Sequence, residues 1–302
     1  MVQKPSREEM IRMAQETRKH VTNAVVSPEE LAAWPVNMEK LLIPTRVGDS
    51  ECYLAGREDR GERVPLVINF HGGGFIRKRT DNDELFCRKL TCILGVKTLD
   101  VDYRVAPEHP FPQGLEECYD VTVWAFEHAE ELGIDPKRII LAGHSAGGNF
   151  VLGISIMLKE NHSPVQILGI LSEYPPMDLF TDPAKKPSRG KAIPAERARL
   201  YNLYYCEEEE QRNPFASLIL MEEQRLRNLP KTLFITAEED TLCEEAEDFA
   251  LKMARAGNEV TLKRFLQVGH AFTIYRMPGY EEAMELILRF IKQLLEEKEE
   301  YK

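Results

Sequence analysis

The sequence predicts an α/β fold: a mostly parallel, eight-stranded sheet flanked by helices, with a helical cap. Apolar runs of strand length alternate with helical patterns, which is how a parallel sheet with covering helices reads in sequence. Two of the strand-like runs end in glycine-rich turns, at His71-Gly72-Gly73-Gly74-Phe75 and at Gly143-His144-Ser145-Ala146-Gly147. The length, 302 residues, suits one large α/β domain with insertions and is enough to bury a substantial core.

Residues 1–38 hold helix-forming stretches before the first strand and are read as N-terminal cap helices; the main domain takes 39–302. Strand-like runs near 39–45 and 51–55 suit an antiparallel pair at the sheet edge. The remaining strands are expected near 64–70, 96–102, 138–143, 166–172, 231–237 and 260–265. Helices are expected near 82–94, 114–132, 146–159, 243–256 and 280–297. The last carries Met284, Leu286, Ile287, Phe290, Ile291 and Leu294 on one apolar face, and is expected to close the sheet at one edge. Residues of about 177–226 break the alternation, with Pro183, Pro187, Pro194 and Pro214 around a helical pattern at 195–206. Long insertions beside a functional face often act as lids, so this segment and residues 1–38 are read as one cap over Ser145.

Composition excludes several classes. The net charge of −11 offers no basic stripe to neutralise phosphates, so nucleic acid is not an expected partner. No apolar stretch approaches the ~20 residues of a membrane span. Met1 to His20 mixes Lys, Arg, Glu and Gln without an apolar centre, unlike a secretory signal. The cysteines at 52, 87, 92, 118, 206 and 243 lack a Cys-x-x-Cys spacing and read as reduced thiols of a cytoplasmic protein. Asn161-His162-Ser163 matches a glycosylation acceptor only formally, and the acidic runs at 207–210 and 296–300 read as solvated surface. A homodimer is left open.

The chemistry starts at Ser145. An apolar strand, Arg138-Ile139-Ile140-Leu141-Ala142, runs into the Gly-His-Ser-Ala-Gly turn, and a buried helix follows. Small residues around the serine permit a sharp turn that lifts its hydroxyl out at the carboxyl end of a sheet. A bland strand–turn–helix junction would read the same, so the weight falls on three companions. His71-Gly72-Gly73-Gly74-Phe75 follows the run Val64 to Phe70, and glycine backbone N–H groups can be aimed at a developing oxyanion. Gly72 and Gly73 are assigned as donors together with Ala146, and Gly74 competes with them. A phosphate loop would end in Gly-Lys-Ser/Thr, whereas Phe75-Ile76 follows here. The acid is expected after the run 231–237, among Glu238, Glu239 and Asp240; Asp240 lies nearest the next helix and is preferred, with Glu239 as the fallback. The base must follow the acid in such sheets, and only His270 does; the other histidines, at 20, 71, 109, 128, 144 and 162, all precede it.

Together these segments resemble the hormone-sensitive lipase group of α/β-hydrolase esterases, of the bacterial acetyl-esterase and carboxylesterase type. The resemblance rests on His71 to Phe75, on Tyr103-Arg104-Val105-Ala106-Pro107-Glu108-His109-Pro110-Phe111-Pro112, on Gly143 to Asn149 and on Tyr174-Pro175-Pro176-Met177-Asp178, and covers roughly residues 40–300. It implies an α/β-hydrolase fold and a serine carboxylesterase acting on short-chain, acetyl-type esters. Ser145, Asp240 and His270 would then be catalytic, and Gly72, Gly73 and Ala146 would form the oxyanion hole. The family more often carries Asp where His144 stands, and the Gly-His-Ser-Ala-Gly form also occurs in formamidase relatives. An amidase, formamidase or small peptidase with the same residues is therefore the alternative, and a non-catalytic receptor a more distant one. The substrate pocket is undetermined, with Phe75, Tyr201, Tyr204 and Tyr205 as candidates. Neither a metal nor a cofactor is expected, because no metal-ligand spacing occurs and the chemistry needs none. His71 is read as a loop organiser, Asp102 and Arg104 as a structural network, and Glu173 as either a neighbour of the site or a surface carboxylate.

Overall fold

The computed structural model describes residues 5–19, 25–56 and 63–297; His20 and part of the acidic run at 296–300 lie outside them. Eight strands form one sheet: β1 (Asn37–Ile43), β2 (Ser50–Gly56), β3 (Val64–Phe70), β4 (Lys97–Asp102), β5 (Ile134–His144), β6 (Ile167–Glu173), β7 (Lys231–Ala237) and β8 (Val260–Phe265). Their spatial order is β1-β2-β4-β3-β5-β6-β7-β8. β2 runs antiparallel to β1 and β4, and every other pairing is parallel. The carboxyl ends of β3 to β8 therefore share one edge of the sheet, and the loops leaving them meet there.

The long helices are α3 (Asp81–Leu94), α4 (Gln113–Glu127), α5 (Ala146–Glu160), α7 (Cys243–Arg255) and α8 (Tyr280–Glu297), with shorter α1 (Arg7–Lys19), α2 (Pro28–Ala32) and α6 (Ala195–Tyr205) outside the alternation. Parity along the central strands sorts the core into two layers. Leu66, Ile68, Leu141 and Ile170 pack with Leu115 of α4, Phe150 of α5 and Phe249 of α7. Val67, Ile140, Leu171 and Ile235 pack with Phe86 of α3 and Ile287 and Ile291 of α8. Burial on both faces is why these strands read as unbroken apolar runs rather than alternating ones. α3 starts at a capping box, with Thr80 and Asp83 exchanging side-chain and backbone bonds, and stops at Gly95 in the left-handed region, φ 71°.

Two expectations need correction. α8 does not close an edge; it lies across β6, where Leu294 occupies the space that a Cβ on Gly169 would take. An eighteen-residue helix with so broad an apolar face needs the middle of a sheet to cover it, and an edge strand offers too little area. α4 ends at Glu127 rather than near 132. Ala129 and Leu132 remain buried in the turn that follows, so the helical spacing persists in the sequence after the helix has stopped.

α1 and α6 pack beside the loops at the carboxyl edge, whereas α2 and the residues after it lie along α3. Met10 and Ala14 bury one side of α1, and Arg18 grips Glu108 with two bonds of 2.7 and 2.6 Å while its Nε donates to the Ile76 carbonyl. Arg77 returns a bond of 2.9 Å to the Thr17 carbonyl. At the end of α6 the Tyr205 ring stacks on Phe75, 3.8 Å between centroids, and its carbonyl accepts from Phe111 N–H at 2.7 Å. The start of the insertion is held by Glu245, which accepts from the N–H groups of Met177 and Asp178 and pairs with Lys186, both side chains being buried. Among the described residues no helix is long and apolar enough to cross a membrane. All six cysteines are free thiols.

Candidate active site

The serine turn is built from close approach. β5 delivers Gly143 and His144, the chain reverses at Ser145 with φ 52° and ψ −113°, and α5 begins at Ala146. A positive φ on a residue with a Cβ costs on the order of 1–3 kcal/mol and persists only where its surroundings over-determine it. Here the Ser145 N–H donates to the Glu173 carbonyl at 2.8 Å, and the Ser145 carbonyl accepts from Asn149 at 3.1 Å. Gly143 and Gly147 both permit the turn, since a Cβ on them would stand 2.2 Å from the Gly147 carbonyl oxygen and 1.9 Å from the Phe70 carbonyl oxygen, respectively.

The loops after β7 and β8 bring two side chains to this serine. His270 Nε2 lies 2.9 Å from Ser145 Oγ, and His270 Nδ1 lies 2.6 Å from Asp240 Oδ2. A carboxylate can only accept, so Nδ1 carries the proton and Nε2 faces the serine as an acceptor. Asp240 is 3% exposed and its Oδ1 accepts from the Leu242 N–H at 3.2 Å, which keeps the carboxylate aimed at the ring. The other two carboxylates of that loop go elsewhere. Glu238 accepts from the Gln267 N–H at 2.9 Å, and Glu239 pairs with Lys191 at 3.0 Å. The Glu238 bond and the Glu239 N–H, which donates to the Val268 carbonyl, staple the loop of Asp240 to the loop of His270, while the Glu239 side chain ties the first loop to the insertion.

The loop after β3 supplies N–H groups. Gly72 is so close to the serine turn that a Cβ on it would sit 3.1 Å from the His144 carbonyl and 3.5 Å from Ser145 Cβ. Gly73 has φ 122°, a conformation that side chains rarely adopt. Among the described residues no protein acceptor meets the N–H of Gly72, Gly73 or Ala146. His71 organises this loop: its Nδ1–H donates to the Gly72 carbonyl at 2.8 Å and its ring stacks on Tyr103 at 3.9 Å. Its carbonyl accepts from the Tyr103 hydroxyl at 2.7 Å. Burial lowers the pKa of His71 and keeps the ring neutral.

Of the pocket candidates, Phe75, Tyr204 and Tyr205 are shut into the core at 2–3% exposure. Tyr201 is partly open, and its ring fills the space beside Gly74. Asp102 and Arg104 do not share one network. Arg104 pairs with Glu117 at 3.0 Å, whereas Asp102 takes the Arg79 N–H at 3.1 Å. Glu173 is fully buried, 3.0 Å from His144 Nδ1, so it is a neighbour of the site and not a surface group. Tyr174, read from sequence only as the start of a resembling segment, meets His270 with its ring edge, 5.1 Å between centroids, and its hydroxyl bonds Thr273. The signal for both was their place at the end of a buried strand next to the one carrying Ser145. Among the described residues no group of three or more His, Cys, Asp or Glu is arranged to hold a metal ion.

With a proton acceptor on a hydroxyl, a carboxylate behind it and a glycine loop against the serine turn, this edge of the sheet has the groups that acyl transfer uses. A family model described as alpha/beta hydrolase fold matches residues 67–274. An arylesterase of Saccharolobus solfataricus is 31% identical over 209 residues, 68% of this chain and 68% of that protein. Human hormone-sensitive lipase is 40% identical over 125 residues, but these are 41% of this chain and 11% of the lipase. Among solved structures, an esterase of the archaeon Pyrobaculum calidifontis superposes with a TM-score of 0.80 at 28% identity, covering 96% of this chain and 92% of that one. A fungal esterase of Rhizomucor miehei superposes with a TM-score of 0.84 at 27% identity, covering 100% and 96%.

Proposed function

The chain belongs to the α/β-hydrolase family and is a carboxylic ester hydrolase, and on that premise we propose that it hydrolyses short-chain acyl esters through Ser145, His270 and Asp240. The observation that carries the assignment of residues is the position of His270, 2.9 Å from Ser145 Oγ and 2.6 Å from Asp240. Ser145 Oγ attacks the ester carbonyl while His270 Nε2 takes its proton, and Asp240 stabilises the imidazolium through Nδ1–H. The N–H groups of Gly72, Gly73 and Ala146 bind the oxyanion of the tetrahedral intermediate. His270 then protonates the departing alcohol, the acyl group stays on Ser145, and a water deprotonated by His270 releases it as the acid.

The preference for short acyl chains is supported by the bulk beside the oxyanion glycines, where the Tyr201 ring lies against Gly74. α1 and the insertion at 177–226 serve as the cap in this reading, and the bonds of Arg18 to Ile76 and Glu108 and of Tyr205 to Phe111 support that role. Free cysteines support a cytoplasmic location.

Hydrolysis of p-nitrophenyl acetate, butyrate, octanoate and laurate by the wild type and by Ser145→Ala tests the reading. Turnover is expected to peak at acetate or butyrate and to fall by roughly 10⁴-fold or more in the variant. Turnover that survives in folded Ser145→Ala removes the serine from the mechanism. A folded wild type inactive on all four esters, but active on an N-formyl or anilide substrate, moves the reaction to amides.

A further inference from the structure

A second histidine–carboxylate pair lies directly under Ser145, on the face of the sheet covered by α3 and α8. His144 and Glu173 end neighbouring strands and stand opposite each other in the β5–β6 register. Parity sends both side chains to the same buried layer as Ala142 and Leu171. They are 1% and 0% exposed, with Nδ1 and Oε1 3.0 Å apart. The contact is close but off-line, so neither ring nitrogen and neither carboxylate oxygen makes a well-aligned hydrogen bond. Attraction between charges, rather than a directed bond, holds the pair.

We propose that His144 and Glu173 are a positioning pair for the ester hydrolysis: they clamp the ends of β5 and β6 together and hold the strained serine turn in the form that attacks. Glu173 grips the turn twice, through its side chain at His144 and through its carbonyl at the Ser145 N–H, 2.8 Å. The next residue, Tyr174, carries the same strand end to His270, whose ring it meets edge-on. The pair thus sits where a shift of β6 relative to β5 moves the nucleophile and the base together. Neither side chain reaches substrate, because Ser145 and its turn lie between.

The pair depends on one proton. His144 is faced by Glu173 from β6, by Asp83 and the Phe86 ring edge from α3, and by Asp100 from β4, itself bonded to Arg79 at 2.7 Å. Burial opposes a charge on the ring, but the Glu173 carboxylate, aided by the two aspartates, outweighs it and raises the pKa of His144 above the usual histidine value. The imidazolium therefore persists to higher pH than a free histidine would allow, and its loss leaves Glu173 as an uncompensated charge under the nucleophile.

The inference rests on the ester reading, and one set of measurements separates the two. kcat and KM for p-nitrophenyl butyrate are measured from about pH 6 to about pH 10 for the wild type, His144→Gln, Glu173→Gln and the double variant, with thermal melts to establish folding. Each single variant is expected to lose roughly 10- to 100-fold in kcat with KM within about threefold, the signature of a displaced nucleophile rather than lost binding. The wild type should show an alkaline fall in kcat that both His144 variants lack. The neutral amide pair of the double variant should recover most of the lost turnover. Folded single variants with wild-type kcat and an unchanged pH profile overturn the inference. Should the single variants not fold, the double decides: loss of the alkaline fall supports the pair, and its persistence overturns it. A wild type without esterase activity, or one indifferent to Ser145→Ala, overturns the ester reading and the pair with it.

Discussion

Two histidine–carboxylate pairs stand on opposite sides of Ser145, made of the same chemical groups but differing in exposure and geometry. On the pocket side His270 keeps a fifth of its side chain exposed and lies in line with Asp240 at 2.6 Å. On the underside His144 is sealed off, and its contact with Glu173 is longer and off-line. A ring that must take and return a proton needs access to substrate and a partner that fixes its tautomer. A ring that only holds strands together needs neither, and its charge is kept by the facing Glu173 carboxylate against the cost of burial. In the proposed mechanism exposure, more than residue type, separates the two roles.

The comparison is broken most severely by removing the pocket-side base. His270→Gln should lower kcat by roughly 10⁴-fold or more while leaving the melting temperature close to the wild type. A folded variant that keeps a tenth of the activity would place the proton transfer elsewhere. At the serine turn itself, between the two pairs, the large effect is on stability. Gly147→Ala drives a methyl group into the Phe70 carbonyl, 1.9 Å from the ideal Cβ. The cost should be about 3 kcal/mol or more, read as a drop in the urea midpoint. A midpoint within experimental error of the wild type would mean that the turn is not held as tightly as this contact implies.

A pH series sharpens the contrast further. The pKa of His144 is raised in the folded protein, so the stability it contributes is complete below the unfolded histidine value of about 6.5 and is lost as pH rises through the raised value. Within that window the slope is at most about 1.4 kcal/mol per pH unit, stability falling with alkalinity. Glu173→Gln should flatten it, and an equally steep loss in that variant would assign the slope to other groups. The smallest effect lies farthest from the serine. Arg18→Ala releases the half-buried grip of α1 on Glu108, whose carboxyl is held below its usual pKa by that guanidinium. It should cost about 1–2 kcal/mol and raise KM more than it lowers kcat. Equal changes in both would tie α1 to the chemistry rather than to the cap.

Much of this could be read before any fold was known, for reasons visible in particular residues. Strands such as Val64–Phe70 and Lys231–Ala237 announce themselves because burial on both faces demands unbroken apolar runs. That Ser145 and His270 belong together is legible because a sharp serine turn restricts its neighbours to small residues, and because one histidine follows the acidic cluster at 238–240. The choice among Glu238, Glu239 and Asp240 was a matter of which lay nearest a helix, a criterion with no energy behind it. Only geometry shows that Glu238 is taken by the Gln267 N–H and Glu239 by Lys191, leaving Asp240 to face the ring.

What the sequence determined by itself, then, is whatever depends on local chemistry and periodicity: the order of strands and helices, the sharp turn at Ser145 and the glycines that free backbone N–H groups. Tertiary structure alone decided the rest. It laid α8 across β6 instead of along an edge, shut Phe75, Tyr204 and Tyr205 into the core, and set His144 against Glu173. The reason is that register between strands is a long-range property. Residues 144 and 173 become partners only when two strands separated by a whole helix align to within one residue, and a slip of one strand by one residue would turn its side chain to the other face and part the pair.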